Sequence, residues 1–154
     1  MAGEIEVAMF HPRHLEVAEL REHERELLNG IADIEKQLGT LMRNSRVALT
    51  FMYGGRVITC AGFVEMWPGV AELWQIPTVH VEKCKLTFAK TLKKYTEGAA
   101  KDFGYHRLQT SCPVDPLHDR WMEFLGFTKE GTMKQYTYLK QDYSIFGRVF
   151  TWAS

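Results

Sequence analysis

Short runs in which apolar and polar residues alternate predict β-strands at several places along the chain. The first run covers residues 5–9. Two longer runs, 46–53 and 56–67, are rich in β-branched and aromatic residues and are separated by Gly54-Gly55. Two consecutive glycines accept the positive φ angles of a tight hairpin turn. A further strand-like run at 70–76 follows a second turn, so we predict an antiparallel meander of strands two to four.

Apolar residues spaced by three and four positions predict helices in two other stretches. Between residues 12 and 44 the spaced residues form one stripe: Leu27, Ile31, Ile34, Leu38 and Leu41. Gly30 and Gly39 each weaken a helix by about 1 kcal/mol relative to alanine, so we expect a break or bend at each. The same spacing recurs over 88–103, and Gly104 suits the left-handed residue that ends a helix.

The last third of the chain combines both patterns. A strand is predicted over 105–112, a short helix over 115–125, and a closing hairpin from 128–138 and 143–150. The complete order is then β-α-α-β-β-β-α-β-α-β-β. We see no linker or repeat, so we predict a single domain over residues 1–154.

The composition is that of an ordinary globular domain, with 154 residues, 45% of them apolar and 25% charged. A domain of this length buries about 70% of the surface of its unfolded chain. Nineteen basic residues balance nineteen acidic ones. Because a strongly basic surface is absent, nucleic acid is not an expected partner.

The cysteines and the chain start indicate a reducing, intracellular setting. Cys60, Cys84 and Cys112 are widely spaced and form no CxxC pair, which argues against a disulfide framework or a zinc site. The chain start lacks a basic segment followed by an apolar one, and no run approaches eighteen apolar residues. We therefore expect a cytoplasmic protein without a membrane partner.

The stretch from His106 to Gly131 reads HRLQTSC, then PVDPLHDRWMEF, then LGF at 125–127 and Glu130-Gly131. It resembles the closing signature of the GCN5-related N-acetyltransferase (GNAT) superfamily, and GGRVITCAG followed by PGVAELWQIP resembles that family's third and fourth strands. The resemblance covers nearly the whole chain. It implies a GNAT-like α+β fold, with a central mixed, mostly antiparallel, twisted sheet of six to seven strands flanked by about four helices.

The resemblance also implies a site for acetyl-CoA. In the family, strands four and five splay apart, pantetheine binds strand-four backbone, and the pyrophosphate rests on amides at the start of the next helix, a natural anion site. The family's loop is Arg or Gln, two residues, Gly, one residue, then Gly or Ala; here 84–89 stands in its place, and only its last residue agrees. The implied cofactor-binding residues are Gln75, Ile76, Lys83, Lys85, Thr87, Phe88 and Ala89.

The departures from the family's loop leave two interpretations open. Thr87 puts a β-branched side chain where the first glycine lets the backbone approach a phosphate. Lys83 and Lys85 lie near the predicted helix start, where a cation is unfavourable by about 0.3–1 kcal/mol unless an anion neutralises it. They either partly replace the missing amides or are solvated, with Glu82 nearby.

The resemblance assigns Glu72 as the base that takes a proton from the attacking ammonium, because only a neutral amine is nucleophilic. A structural or solvent-facing role for this carboxylate is the alternative. The family's usual general acid, a tyrosine four residues before the LGF glycine, is replaced by Met122, so Tyr136 or Tyr138 would have to reach in. Asp115 stands where the family often has an asparagine that contacts the cofactor, and it is equally explained as a helix N-cap.

Three weaker features have structural explanations as well as functional ones. His11 and His14 lack the further ligands of a metal site, so no metal is predicted. Cys84 would gain thiolate character at a helix start, or be an ordinary buried thiol. The glutamate-rich segment 16–26 would attract a cationic amine, or form a solvated face with its arginines.

Two functions remain open at this point. The first is an acetyl-CoA-dependent N-acyltransferase acting on an amine-bearing small molecule or protein, and a phage-encoded enzyme that modifies a host protein is one form of it. The second is a non-catalytic protein, because the variant loop and the 106–131 block also resemble acetyltransferase-like proteins encoded among bacteriophage head and virion genes. Its partners would be other virion proteins, with Trp67, Trp74 or Trp152 in the interface and a location in host cytoplasm or virion. A homo-oligomer is compatible with both.

Overall fold

The computed structural model describes residues 3–152, which contain a seven-stranded sheet with strand order β1-β2-β3-β4-β5-β7-β6. The strands are β1 Glu6–Met9, β2 Ser45–Tyr53, β3 Arg56–Trp67, β4 Val70–Pro77, β5 Arg107–Pro113, β6 Thr128–Met133 and β7 Tyr143–Val149. The helices are α1 Glu22–Asn29, α2 Ile34–Asn44, α3 Lys85–Phe103 and α4 Pro116–Phe124, with short 3-10 helices at Pro12–Leu15 and Val79–Cys84. The predicted element order and α+β class are confirmed.

The sheet is mixed and mostly antiparallel, as predicted. β1–β2, β2–β3, β5–β7 and β6–β7 are antiparallel pairs, whereas β4 and β5 are parallel. The parallel pair follows from connectivity, because α3 crosses over between the two strands and returns the chain to the same edge. Within residues 3–152, no helix combines the length and the apolarity needed to cross a bilayer.

The chain divides into two compact units. The first contains the residues up to Val64 and Trp74–Phe88; the second contains Glu65–Leu73 and the residues from Ala89 onward. One cluster of buried side chains in the first unit contains Phe10, Leu15, Leu38, Ala48, Val57 and Cys60. Trp74 packs against this core, with its ring 5.3 Å from that of Phe10 and its N–H donating to Ser45 Oγ at 2.9 Å. The suggestion that Trp74 is an exposed interface residue is therefore wrong.

The predicted helical stretch at 12–44 breaks where Gly30 follows α1, but not at Gly39. Asp33 adopts a left-handed φ of 52°, which separates α1 from α2 and leaves Ile31 exposed between them. Gly39 lies inside α2, next to the buried Leu38. Burial of the Leu38 side chain stabilises the folded state by about 1.5–3 kcal/mol. This outweighs the cost of roughly 1 kcal/mol for a glycine inside a helix.

The second unit ends with the β6–β7 hairpin, whose first strand is shorter than predicted. β6 stops at Met133, and the connection contains left-handed residues at Gln135 and Lys140. The Asp142 carboxylate accepts hydrogen bonds from Gln135 N–H at 2.9 Å and from Lys134 Nζ at 3.1 Å. These side-chain bonds stabilise a turn where the alternating sequence had predicted a strand.

Candidate functional site

The β4–β5 ladder ends abruptly inside both strands. The parallel register joins Val70 to Arg107, Ala71 to Leu108 and Glu72 to Gln109, and then stops, although β5 remains paired with β7 as far as Pro113. One residue further on, the buried Thr110 donates its side-chain hydroxyl to Leu73 O at 2.8 Å. A side chain therefore makes the bond that a backbone amide would make in a continuous ladder. We call this point, at Leu73 and Thr110, the strand parting.

Glu72 is the last β4 residue before the strand parting. Its side chain is half-buried, and burial raises the pKa of the carboxyl above its usual 4.5. A carboxylate made more basic by burial is better suited to accept a proton near neutral pH than an exposed one. Glu72 is thus a half-buried carboxylate of raised pKa at the end of the ladder, in the second unit.

The remaining predicted cofactor residues lie in the first unit, apart from Ala89. Gln75 and Ile76 are half-buried on β4, and the Ile76 side chain packs against the core, so it offers a ligand only its backbone. Phe88 is fully buried with its ring 5.2 Å from Phe51, and Ala89 is also buried. The side chains of Phe88 and Ala89 therefore lie in the interior and are not available to a ligand.

The segment before α3 is a 3-10 helix, Val79–Cys84, that runs directly into α3, where the sequence had predicted an open loop. Buried Thr78 fixes its start: its hydroxyl donates to Val57 O at 2.7 Å, and its N–H donates to Ile58 O at 2.9 Å. These bonds to β3 could not be read from the loop's own sequence. They anchor the start of this 3-10 helix on β3.

The charged side chains around the start of α3 lie at the protein surface. Lys83 and Thr87 are exposed and Lys85 is half-buried, with its Nζ 3.9 Å from Glu82 Oε2. An ion pair this long and this exposed contributes little, so the lysine remains available to an anion. Cys84 is buried, and burial raises the pKa of its thiol, which is the opposite of an activated thiolate.

The start of α4 carries a feature that the sequence reasoning missed. Asp115 caps the helix, as predicted, by accepting from His118 N–H at 2.8 Å. Its second oxygen, Oδ2, bonds to the His118 ring at Nδ1. The spacing of three residues between a capping aspartate and a histidine was the signal available in the sequence.

The alternative proton donors named from the sequence lie in different surroundings. Met122 is buried in α4 and has no ionisable proton. Tyr136 and Tyr138 are on the β6–β7 connection, 52% and 55% exposed, and the Tyr136 ring packs 5.2 Å from that of Tyr143. Neither tyrosine occupies the sheltered position expected of a general acid.

The two histidines near the chain start have a local structural role. His11 Nδ1 accepts from Arg13 N–H at 3.1 Å, and His14 Nδ1 accepts from His11 N–H at 3.2 Å. Together they cap the 3-10 helix at Pro12–Leu15. Among residues 3–152, no group of three histidine, cysteine, aspartate or glutamate side chains is arranged to hold a metal ion.

No protein-family model matches the chain, and no curated protein matches it. Solved structures do. Ard1 from Thermoplasma volcanium has a TM-score of 0.77 at 11% identity, covering 96% of this chain and 99% of that one. A putative phosphinothricin N-acetyltransferase has a TM-score of 0.75 at 13% identity, covering 97% and 100%. A GNAT-family acetyltransferase from Bacillus anthracis has a TM-score of 0.68 at 14% identity, covering 97% and 96%. The chain therefore has the fold of the GNAT-family acetyltransferases.

Proposed function

We propose that the protein is an acetyl-CoA-dependent N-acyltransferase that acts on an amine. The observation that carries the proposal is the strand parting at Leu73 and Thr110, one residue beyond the half-buried Glu72. Ligands of open sheets bind beyond the carboxyl ends of parallel strands, and β4 and β5 form a parallel pair. The fold shared with acetyltransferases agrees with this chemistry but does not establish it.

The chain's own groups suit an acyl-CoA donor. We assign pantetheine to the β4 backbone at Gln75 and Ile76, and the phosphates to Lys83, Lys85 and the amide of Thr87 in the first turn of α3. Phe88 and Ala89 follow at positions whose amides are taken by the helix's own hydrogen bonds. Exposed lysines beside a helix start favour phosphate, because both the side-chain charges and the helix dipole attract an anion. Acetyl-CoA would supply the acyl group already activated as a thioester.

Glu72 would accept the proton that the amine must lose before it can attack. The raised pKa of this carboxyl brings its affinity for a proton closer to that of the amine, which makes the transfer less unfavourable. The amine lone pair then attacks the thioester carbonyl carbon. The acceptor is an amine-bearing small molecule or protein.

The first test is calorimetric titration of acetyl-CoA into the wild type and into the Lys83→Ala/Lys85→Ala double variant. Exposed charge pairs contribute about 0.3–1 kcal/mol each, so the double variant should bind roughly 3- to 30-fold more weakly. Lys36→Ala/Lys101→Ala removes the same charge from exposed positions elsewhere and should leave the affinity unchanged. Absence of wild-type binding at millimolar acetyl-CoA would overturn the proposal.

The second test is turnover of acetyl-CoA with a panel of amines by Glu72→Gln. Loss of a general base lowers kcat by about 10²- to 10⁴-fold, while acetyl-CoA affinity should stay within about twofold. Glu65→Gln, an exposed position on β3, is the matched control and should retain full activity. Equal turnover by both variants would remove Glu72 from the mechanism.

A non-catalytic role is the second candidate, and the buried Met122 at the family's tyrosine position favours it. In that case exposed aromatic side chains such as Trp67, 58% exposed, would contact protein partners. The relation to bacteriophage virion proteins stays a prediction. This candidate gains support only if the wild type neither binds acetyl-CoA nor consumes it.

A further inference from the structure

Asp115 and His118, at the start of α4, form an ionisable pair separate from the residues assigned to the site above. Each oxygen of the Asp115 carboxylate has its own partner: Oδ1 accepts from His118 N–H at 2.8 Å, and Oδ2 bonds to His118 Nδ1. The first bond is an ordinary helix cap. The second fixes the tautomer and the orientation of the imidazole, which a cap alone does not require.

The pair lies past the carboxyl end of β5, beyond the strand parting along the chain. Cys112 on β5 is buried, and burial, followed by the charges of Asp119 and Asp115, raises the pKa of its thiol to about 12, while Lys129 on β6 opposes the rise. The carboxylates in the first turn of α4 are therefore close enough to β5 to act on Cys112. Asp119 and Lys129 therefore act on the same thiol as Asp115, the first in the same direction and the second in the opposite one.

The outer nitrogen of His118 is available. The side chain is 24% exposed, and among the described residues no hydrogen bond engages Nε2. With Nδ1 held by a carboxylate, Nε2 is the atom through which the ring gains or loses a proton. The carboxylate itself is well held, since its hydrogen bonds with His118 outweigh its burial and lower the pKa of Asp115.

An acyl transfer from a thioester needs a second proton transfer besides the one at Glu72. The departing sulfur leaves as a thiolate, whose thiol has a pKa of about 8.5, so a proton donor assists its departure. Met122 has no proton to give, and Tyr136 and Tyr138 are exposed on a connection. The Asp115–His118 pair is half-buried and lies in the same compact unit as Glu72 and the strand parting.

We propose that His118 is the general acid that protonates the departing thiolate of the acyl donor, and that Asp115 is its positioning residue. This inference rests on the proposed function. The amine nitrogen forms a bond to the carbonyl carbon as the carbon–sulfur bond breaks, and the electron pair of that bond goes to sulfur. Glu72 takes the first proton from the ammonium before attack, the second proton leaves nitrogen for solvent as the amide forms, and the proton on Nε2 of His118 goes to sulfur. Solvent exchange returns Glu72 and His118 to their starting states, so protons balance.

Two variants separate this role from helix capping. Asp115→Asn keeps a good N-cap, because Asn and Asp cap equally well, but its amide nitrogen cannot accept from His118 Nδ1. His118→Gln keeps the backbone N–H and removes the ring. His106→Gln, an exposed histidine just before β5 at the opposite end of that strand, is the matched control.

The expected kinetic result is a fall in kcat of about 100-fold for His118→Gln and about tenfold or more for Asp115→Asn, with acetyl-CoA binding and thermal midpoint unchanged. Kinetics of His106→Gln should equal those of the wild type. A kcat within twofold of wild type for His118→Gln would overturn the assignment.

A measurement independent of turnover is the NMR signal of the His118 ring. Addition of CoA should shift its ring resonances, whereas desulfo-CoA, which lacks the thiol, should shift them much less. The same response to both compounds would place His118 away from the sulfur and contradict the inference. If the wild type neither binds nor consumes acetyl-CoA, both the proposed function and this inference fail; if it does both and His118→Gln is normal, only this inference fails.

Discussion

Glu72 is half-buried at the last rung of the β4–β5 ladder, and its ionisation is opposed by that burial. Its position on strand four was predicted from the sequence, because the strand and its neighbours have clear patterns. The pairing of His118 with Asp115 was not predicted, since it depends on a side-chain bond that forms only when the start of α4 is folded. Phe88 shows the opposite limit: its place at the helix start was predicted, but its contact with Phe51 in the core was not.

The raised pKa of Glu72 predicts a pH-dependent gain in stability for Glu72→Gln. As pH rises through about 4.5, the unfolded carboxyl ionises first and the folded one stays protonated, so wild-type stability falls across the window up to the folded pKa. That loss persists at neutral pH, and glutamine removes it. Urea unfolding should therefore show Glu72→Gln more stable than wild type at pH 7, with the difference shrinking toward pH 4.

The exposed Glu65→Gln variant corrects for the loss of one charge and should show no such gain. A Glu72→Gln variant that is less stable than wild type at pH 7 would contradict the burial argument. If Glu72→Gln is both more stable than wild type and inactive, the native Glu72 lowers stability at a position that activity requires.

Secondary-structure elements were predicted most reliably where a pattern is long and its ends carry a turn residue. β3 runs over Arg56–Trp67, as predicted, between Gly54-Gly55 and Pro68. The 3-10 helix at Val79–Cys84 was missed, because it depends on bonds between Thr78 and β3 rather than on local sequence. β6 was predicted too long, because alternation continues into a turn stabilised by Asp142.

The same substitution should have opposite effects at two glycines, one inside α3 and one just past its end. Gly98 lies within the helix, and an added Cβ would meet nothing within 4 Å, so Gly98→Ala should stabilise the protein by about 0.5–1 kcal/mol. Gly104, just past the helix end, has φ 71°, so Gly104→Ala should destabilise by about 1–2 kcal/mol. Urea denaturation of both variants checks the pair, and equal effects would show that backbone conformation does not control the helix end.

At the scale of the whole molecule, the order of the strands in the sheet cannot be read from hydrophobic patterns. The position of β7 between β5 and β6 follows from long-range pairing. Family resemblance gave the correct overall fold where pattern alone gave only element order. The single domain over residues 1–154 stays a prediction, because the described chain divides into two compact units that share β3, β4 and α3.

The buried thiols offer a test of that single domain. Cys60 and Cys84 belong to the first unit and Cys112 to the second; all three are free and buried, and burial raises each thiol's pKa. Because hydrogen-bonded elements run through both units, we expect the two units to unfold together. A thiol reagent should then label all three cysteines at one rate, equal to that of global opening.

Mass spectrometry of peptides resolves the three labelling rates. Thr132→Cys, at an exposed position on β6, is the control and should react at once. Labelling of Cys112 much faster or slower than of the other two would show that the units open independently and would replace one cooperative domain by two.

The Thr110 hydroxyl has a kinetic consequence for any molecule that enters between β4 and β5. It satisfies the Leu73 carbonyl from within the protein, so no backbone bond holds the two strands together at that point. We expect an incoming chain to break at most this one side-chain bond rather than a backbone ladder, so its association should be limited by encounter and orientation more than by opening of the sheet.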